Sequence, residues 1–518
     1  MSKPFLYGKD KLTVSKVLSI AHGQTKAVID DETGQRILQS EQYVEKIANN
    51  TKAVYGINTG FGPLCTTTIS AEQTRLLQEN ILKSHSVGVG EPIDKELSLI
   101  MLILKVHSLA KGYSGISKKV IDRILWFIDN DVIPVVPSQG SVGASGDLAP
   151  LSHLFLPLIG FGKVFYKNTI QNIDKVYQEH KVTPVQLTPK DGLALINGTQ
   201  FILAHAVKIV EKLQSILSQA DIIGALMLEG LMGSEKPFYP ELHATRPYKG
   251  NIHVAGRILS LLKDSEISKS HEFCSRVQDP YSLRCMPQIH GASRNAWLHL
   301  KETVETELNS VTDNPLVFNE KHTISGGNFH GQPLALPIDY ACLAASEIGN
   351  VSDRRIYLSL EGEDGLPKLL MKETGINSGF MILQYTTAAL ASENKGLCFP
   401  SSADSIPTSL GQEDHVSMGS IGGRKALKVI ENVEKILAIE LLCATQAIDF
   451  RRPLKSSRVL DKVHDYVRTQ IPFADRDRIF YEDIEKAVDI VKSKKLINIV
   501  KENTLVPFSS FDDLFEIF

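Results

Sequence analysis

Gly140-Ser-Val-Gly-Ala-Ser-Gly-Asp-Leu-Ala-Pro-Leu-Ser-His153 sets three residues without a Cβ, Gly140, Gly143 and Gly146, within seven positions. That spacing permits turns and close backbone approaches that other residues forbid. Inside it, Ala144-Ser145-Gly146 meets the steric demands of a backbone cyclisation, with a small residue before the serine and no side chain after it. The Gly146 nitrogen can attack the Ala144 carbonyl carbon and close a five-membered ring through Ser145, with loss of water and of the serine hydroxyl. The product is a methylidene-imidazolone, an electrophile that no ordinary side chain supplies. The same tripeptide also fits a glycine-rich loop with a capping serine, leading into a helix that starts near Asp147. Since Ala-Ser-Gly occurs by chance in many proteins, the rest of the chain has to decide between them.

Composition narrows the field. A chain of 518 residues is long enough for two or three ordinary domains or for one large helical body. Apolar residues at 43% and charged residues at 22% match a soluble globular protein. A net charge of -3 with both signs well mixed leaves no basic footprint for nucleic acid, so a small molecule is the expected partner. Cys65, Cys274, Cys285, Cys342, Cys398 and Cys443 are scattered without close pairs, which suits reduced thiols in a cytoplasm. The most apolar run, residues 216–232, is interrupted by Gln219, Asp221 and Glu229 and reads as a buried helix, not a membrane span.

Helical periodicity dominates. Leu99, Leu102, Ile103, Val106 and Ala110 recur on one face over residues 96–110, and Val120, Ile124, Phe127 and Ile128 do so over 118–131. Residues 201–231 can form one helix of roughly 45 Å at ~1.5 Å per residue. Residues 337–360 show another long helical pattern, and Ala426, Ile430, Val433, Leu437, Leu441, Ala444 and Ile448 form a stripe that reads as core and interface. Residues 161–166 predict a short hairpin strand, and 168–190 an exposed excursion. The expected fold is mainly α, a long central helical bundle with a smaller N-terminal α-rich domain that carries the glycine-rich loop. Its parts are residues 1–200, 201–452 and a C-terminal helical cap, 453–518.

Further motifs follow one another along the chain. Val54-Tyr-Gly-Ile-Asn-Thr-Gly-Phe-Gly62 sets Tyr55 in a loop with three glycines, and Gly192-Leu-Ala-Leu-Ile-Asn-Gly-Thr199 brings Asn197 to a helix entry. In Arg276-Val-Gln-Asp-Pro-Tyr-Ser-Leu-Arg284, Tyr281 and Arg284 are three apart and share a face of a helix starting near Pro280. The planar fork of Arg284 suits a carboxylate. Thr312-Asp-Asn-Pro315, Ser325-Gly-Gly-Asn-Phe-His-Gly331 and Pro407-Thr-Ser-Leu-Gly-Gln-Glu-Asp-His-Val-Ser-Met-Gly419 complete the series.

Together with the opening stretch, these motifs resemble the histidine/phenylalanine/tyrosine ammonia-lyase family over residues 12–453. The resemblance implies a mainly α-helical fold with long, nearly parallel central helices, in a homotetramer whose active sites are shared between subunits. It also implies that Ala144, Ser145 and Gly146 form the methylidene-imidazolone, with no external cofactor. Tyr55 is then the base that removes a β-proton. A phenol titrates near pH ~10 in water, so positive potential has to lower its pKa for that task. By the same resemblance Arg284 and Asn197 hold the substrate carboxylate, Tyr281 supports the ring and the developing charge, Gln278 buttresses the site, Phe329 packs near the electrophile and Asn328 orients backbone.

The substrate is read at two places. Phenylalanine-type members carry an apolar pair where this chain has Ser84-His85, whereas histidine-type and some tyrosine-acting members carry Ser-His. Histidine-type members also have Gln-Glu-Asp-His, as in Gln412-Glu413-Asp-His415, where phenylalanine and tyrosine types usually place glutamine at the position of Glu413. A carboxylate pairs with an imidazole N–H and favours its protonated form. Against a benzene ring it would be an unpaired buried charge. Leu410-Gly411 departs from the usual Ala-Asn. The expectation is elimination of ammonia from L-histidine to give trans-urocanate, with His85, Gln412 and Glu413 at the imidazole. The alternatives are a tyrosine ammonia-lyase or aromatic aminomutase, and a catalytically silent helical scaffold. A metal hydrolase ranks below these, because none of the fifteen histidines pairs at ligand-like spacing beside a carboxylate on a helix.

Overall fold

Four long helices dominate the computed structural model: Gln200–Gly230, Met286–Leu308, Gln332–Ser359 and Gly419–Arg451. The structure describes residues 3–50, 53–54, 56–60, 71–271, 277–504 and 507–518. The first long helix starts and ends within a residue of the sequence expectation, because a long, largely apolar run without proline marks its own length. Its one buried aspartate is well partnered. Asp221 takes His290 Nδ1 at 2.7 Å, Arg257 Nε at 3.2 Å and Arg294 as well, which holds its carboxyl far below the usual range despite burial. Among the described residues, no helix is long and apolar enough to cross a membrane.

The chain divides into two units, one of Met1–Lys208, Glu302–Ile338 and Pro400–Arg424, the other of Ile209–Lys301, Asp339–Phe399 and Lys425–Phe518. This differs from the division expected at 1–200, 201–452 and 453–518. Four of the five unit boundaries, after Lys208, Lys301, Ile338 and Arg424, fall inside the long helices, and the fifth, between Phe399 and Pro400, follows helix Met381–Leu397. Residues 453–518 also cluster with the second unit. There Phe515 is buried, and Glu516 meets Arg257 at 3.3 Å and His253 Nε2 at 3.0 Å.

In the first unit, Lys95–Leu109 and Lys118–Asp129 match their expected positions. The first is buried over nearly its whole circumference, including Lys105 and His107. Strand Lys163–Tyr166 lies between Ile133–Pro134 and Thr169–Asn172 in an antiparallel sheet. The stretch expected as an exposed excursion is therefore partly ordered: it supplies that third strand and helix Ile173–His180, anchored by buried Ile173, Val176 and Tyr177. Val89–Pro92 pairs antiparallel with Pro137–Gln139, and this ribbon delivers the chain to Gly140. The cysteines among the described residues, Cys285, Cys342, Cys398 and Cys443, are free thiols.

Candidate active site

The glycine-rich loop has the backbone its sequence permits. Gly143 and Gly146 have φ of 71° and 77°. A Cβ on Gly143 would lie 2.1 Å from Ser417 Oγ, and one on Gly146 would lie 2.1 Å from the carbonyl oxygen of Gly198. Gly143 is thus favoured by its conformation, and Gly146 is required both for conformation and for space, because the Gly198 backbone cannot turn aside as the Ser417 hydroxyl can. The Asp147 N–H donates to Gly198 O at 2.8 Å, and the Gly198 N–H points back at Ser145 O at 3.4 Å.

Asp147 does not cap its own helix, Leu148–Phe155. Its Oδ2 instead accepts from the N–H groups of Phe201 and Ile202, at 3.1 and 3.0 Å, in the first turn of Gln200–Gly230, while Oδ1 accepts from Ser141 Oγ at 2.9 Å. A carboxylate at a helix N-terminus is electrostatically favoured. Burial nevertheless outweighs these bonds and pushes its pKa up to about 7. The loop is thus tied to the start of the longest helix in this part of the chain. His153, the last residue of the stretch, is structural: its Nε2 accepts from the Gly88 N–H at 3.0 Å.

Ser145 points at the residue that the substrate argument singled out. Its Oγ donates to Glu413 Oε1 at 2.9 Å, while Thr408 Oγ1 and Ser409 Oγ donate to Oε2 at 2.9 and 2.7 Å. Glu413 is thereby fixed at both oxygens, and the Thr408 N–H donates to its backbone carbonyl at 2.9 Å. Glu413 lines two cavities. One, of about 270 Å³, is walled by His85, Val87, Ala144, Gly146, Thr408 and Ser409 among others. The second, of about 260 Å³, is walled by Ser145, Asn197, Asn314, Phe329 and Gln412. His85 Nδ1 lies 3.0 Å from Ser84 Oγ, and partial burial lowers its pKa from the usual imidazole value against the raising effect of Glu413.

Asn197 is held on two sides. Its Nδ2 donates to Asn314 O at 2.8 Å and lies 3.5 Å from Asp313 Oδ1, and its backbone carbonyl accepts from Lys105 Nζ. Asn328 Nδ2 donates to Val311 O at 3.3 Å, which fits the expected backbone role. Gln278, Tyr281 and Arg284 belong to the second unit. Tyr281–Arg284 is a single helical turn after Pro280, with the Arg284 guanidinium 4.6 Å from the Tyr281 ring centroid. The Arg284 Nε donates to Asp279 O at 2.9 Å. Gln278 and Tyr281 are exposed. Tyr55 lies outside the described residues.

The first unit thus gathers His85, Ala144, Ser145, Gly146, Asn197, Phe329, Gln412 and Glu413. Sequence reasoning missed Thr408, Ser409, Asp147 and Lys105. Only Lys105 left a clear signal, as a lone lysine inside the apolar run Leu-Ile-Leu-Lys-Val (residues 102–106).

A family model described as aromatic amino acid lyase matches residues 12–469. The chain is 44% identical over 488 residues to the histidine ammonia-lyase of Natranaerobius thermophilus, covering 94% of this chain and 96% of that one. Among solved structures it is similar to histidine ammonia-lyase from Trypanosoma cruzi, with a TM-score of 0.90 at 40% identity, covering 99% of this chain and 97% of that one. It is also similar to the tyrosine aminomutase of Streptomyces globisporus, with a TM-score of 0.92 at 32% identity, covering 98% of this chain and 100% of that one. Likeness over almost the full length joins a loop in which Gly146, next to Ala144-Ser145, is sterically required, and the chain belongs to the aromatic amino acid lyase family.

Proposed function

We propose that the protein is an ammonia-lyase that eliminates ammonia from L-histidine to give trans-urocanate. The observation that carries this reading is the Glu413 carboxylate, fixed by the Ser145, Thr408 and Ser409 hydroxyls on the wall common to both cavities. A glutamine there would suit a neutral ring, whereas a carboxylate accepts an imidazole N–H.

Ala144, Ser145 and Gly146 fit cyclisation, because the glycine after the serine sits where any Cβ would strike Gly198. The methylidene-imidazolone formed from them supplies the electrophile that makes an amino group a leaving group. Its formation removes Ser145 Oγ, which frees Glu413 Oε1 for the imidazole while Thr408 and Ser409 keep the carboxylate oriented. His85 and Gln412 complete the ring site, and Phe329 packs against the other cavity. Tyr55 takes the β-proton. Arg284 holds the substrate carboxylate, Asn197 orients the amino acid, and Tyr281 and Gln278 support them. The working form is a cytoplasmic homotetramer with sites shared between subunits, needing no external cofactor.

The test is formation of urocanate from L-histidine, beside L-tyrosine and L-phenylalanine, with Ser145→Ala as the control. Urocanate from wild type and none above background from Ser145→Ala is the expected result. The second reading, a tyrosine ammonia-lyase or aminomutase, draws on Ser84-His85, which some tyrosine-acting members share. Turnover of L-tyrosine with no urocanate would establish it in place of the first.

A further inference from the structure

Lys105 sits in helix Lys95–Leu109, where every residue from 100 to 109 is buried. An ammonium in such surroundings is costly, and burial draws its pKa down to about 7 against the pull of Asp313. A leucine or methionine would fill the same space without that cost. Of the two buried carboxylates that pull on it, Asp313 already pairs with Lys190 at 2.6 Å, and Asp147 is held by the Ser141 hydroxyl and the Phe201 and Ile202 N–H groups.

What Lys105 does touch is the backbone of the site. Its Nζ donates to the carbonyl oxygen of Asn197 and lies 3.5 Å from Gln200 Oε1. That carbonyl belongs to the Asn197–Gly198 peptide, whose N–H faces Ser145 O at 3.4 Å. Gly198 O, the carbonyl of the next peptide, accepts the Asp147 N–H at 2.8 Å. A single peptide therefore links the Lys105 ammonium to the carbonyl of the residue at the centre of the loop. A cation on an amide oxygen withdraws density from the amide N–H, and hydrogen bonds in series strengthen one another by ~10–30% per bond.

We propose that Lys105 is a positioning residue for the reaction: it holds and polarises the Asn197–Gly198 peptide against Ser145, which fixes the Asn197 side chain and draws electron density from the Ser145 carbonyl. This rests on the ammonia-lyase reading and adds to it a residue that never meets substrate. Lys105 acts through Asn197 and Gly198.

Lys105→Met removes charge and donor at similar volume, and Lys105→Gln keeps a donor without the charge. Each is measured by intact mass, by the ultraviolet band of the methylidene-imidazolone, by thermal unfolding and by kcat and KM for L-histidine. The expected result is that both variants fold and lose the two waters of cyclisation. The ultraviolet band then shifts, and kcat falls about 10- to 100-fold in Lys105→Met with a smaller change in KM, Lys105→Gln lying between. An unshifted band with wild-type kcat in Lys105→Met overturns the proposal, as does full activity in Lys105→Gln. Variants that fold but fail to cyclise, or that do not fold, assign Lys105 to maturation or to stability and also overturn it. Failure of the underlying reading looks different, because wild type itself would then lose no water or make no urocanate. If wild type cyclises but turns over another aromatic amino acid, the same comparison is made with that substrate.

Discussion

Glu413 takes three hydroxyl hydrogen bonds, from Ser145, Thr408 and Ser409, and so enters the site with its geometry already set. Replacing Glu413 with Gln keeps the shape and removes the charge. A hydrogen bond to a charged group contributes ~1.5–3 kcal/mol, so kcat/KM for L-histidine should fall about 10- to 100-fold, with a smaller loss for L-tyrosine. Steady-state urocanate formation measures this, and an unchanged preference for L-histidine would show that Glu413 does not read the ring. At this scale the chemistry was legible where motif neighbours carry it, as at Ala144-Ser145-Gly146 and at Gln412-Glu413. The clamp from Thr408 and Ser409 was not. It depends on left-handed backbone at Ser409 and Leu410, with φ of 50° and 57°, at residues whose side chains disfavour it and so give no sequence signal.

Helices place these residues, and Asp147 joins two of them by lying at the start of Leu148–Phe155 while binding the first turn of Gln200–Gly230. Its folded pKa, about 7, lies above the ordinary carboxyl value of 3.8. The folded chain therefore binds a proton there more tightly than the unfolded chain does. The resulting stability is fully present below about pH 4 and is lost as pH rises through about 7. Unfolding midpoints for wild type should fall more steeply between pH 5 and 8 than those of Asp147→Asn, whose amide does not titrate. Parallel curves would mean that Asp147 keeps an ordinary carboxyl pKa. Sequence periodicity found Lys95–Leu109, Lys118–Asp129 and Gln200–Gly230 within a residue or two, because each repeats its apolar face over several turns. It missed Ile173–His180, which has barely two turns and whose three buried residues leave little period to read.

At the scale of the molecule, the proposed sharing of sites between subunits requires surfaces for association. On Gln332–Ser359, Tyr340, Leu343 and Tyr357 are 49%, 47% and 51% exposed, as expected of a helix that another copy covers. Sedimentation should report a tetramer for wild type. The double substitution Tyr340→Arg and Leu343→Arg should yield smaller species with little activity, and a fully active monomer would exclude shared sites. Neither the helical fold nor the family needed the structure, since ordered motifs over residues 12–453 carry both. The division into units was hard to read, because four of its five boundaries, at Lys208, Lys301, Ile338 and Arg424, lie within continuous helices and only the one at Phe399 does not.

Removal of ammonia from L-histidine yields urocanate, whose ultraviolet absorbance follows the reaction as it proceeds. Purified protein given L-histidine should accumulate urocanate together with an equal amount of ammonia. No urocanate from L-histidine under conditions where L-tyrosine is consumed would contradict it.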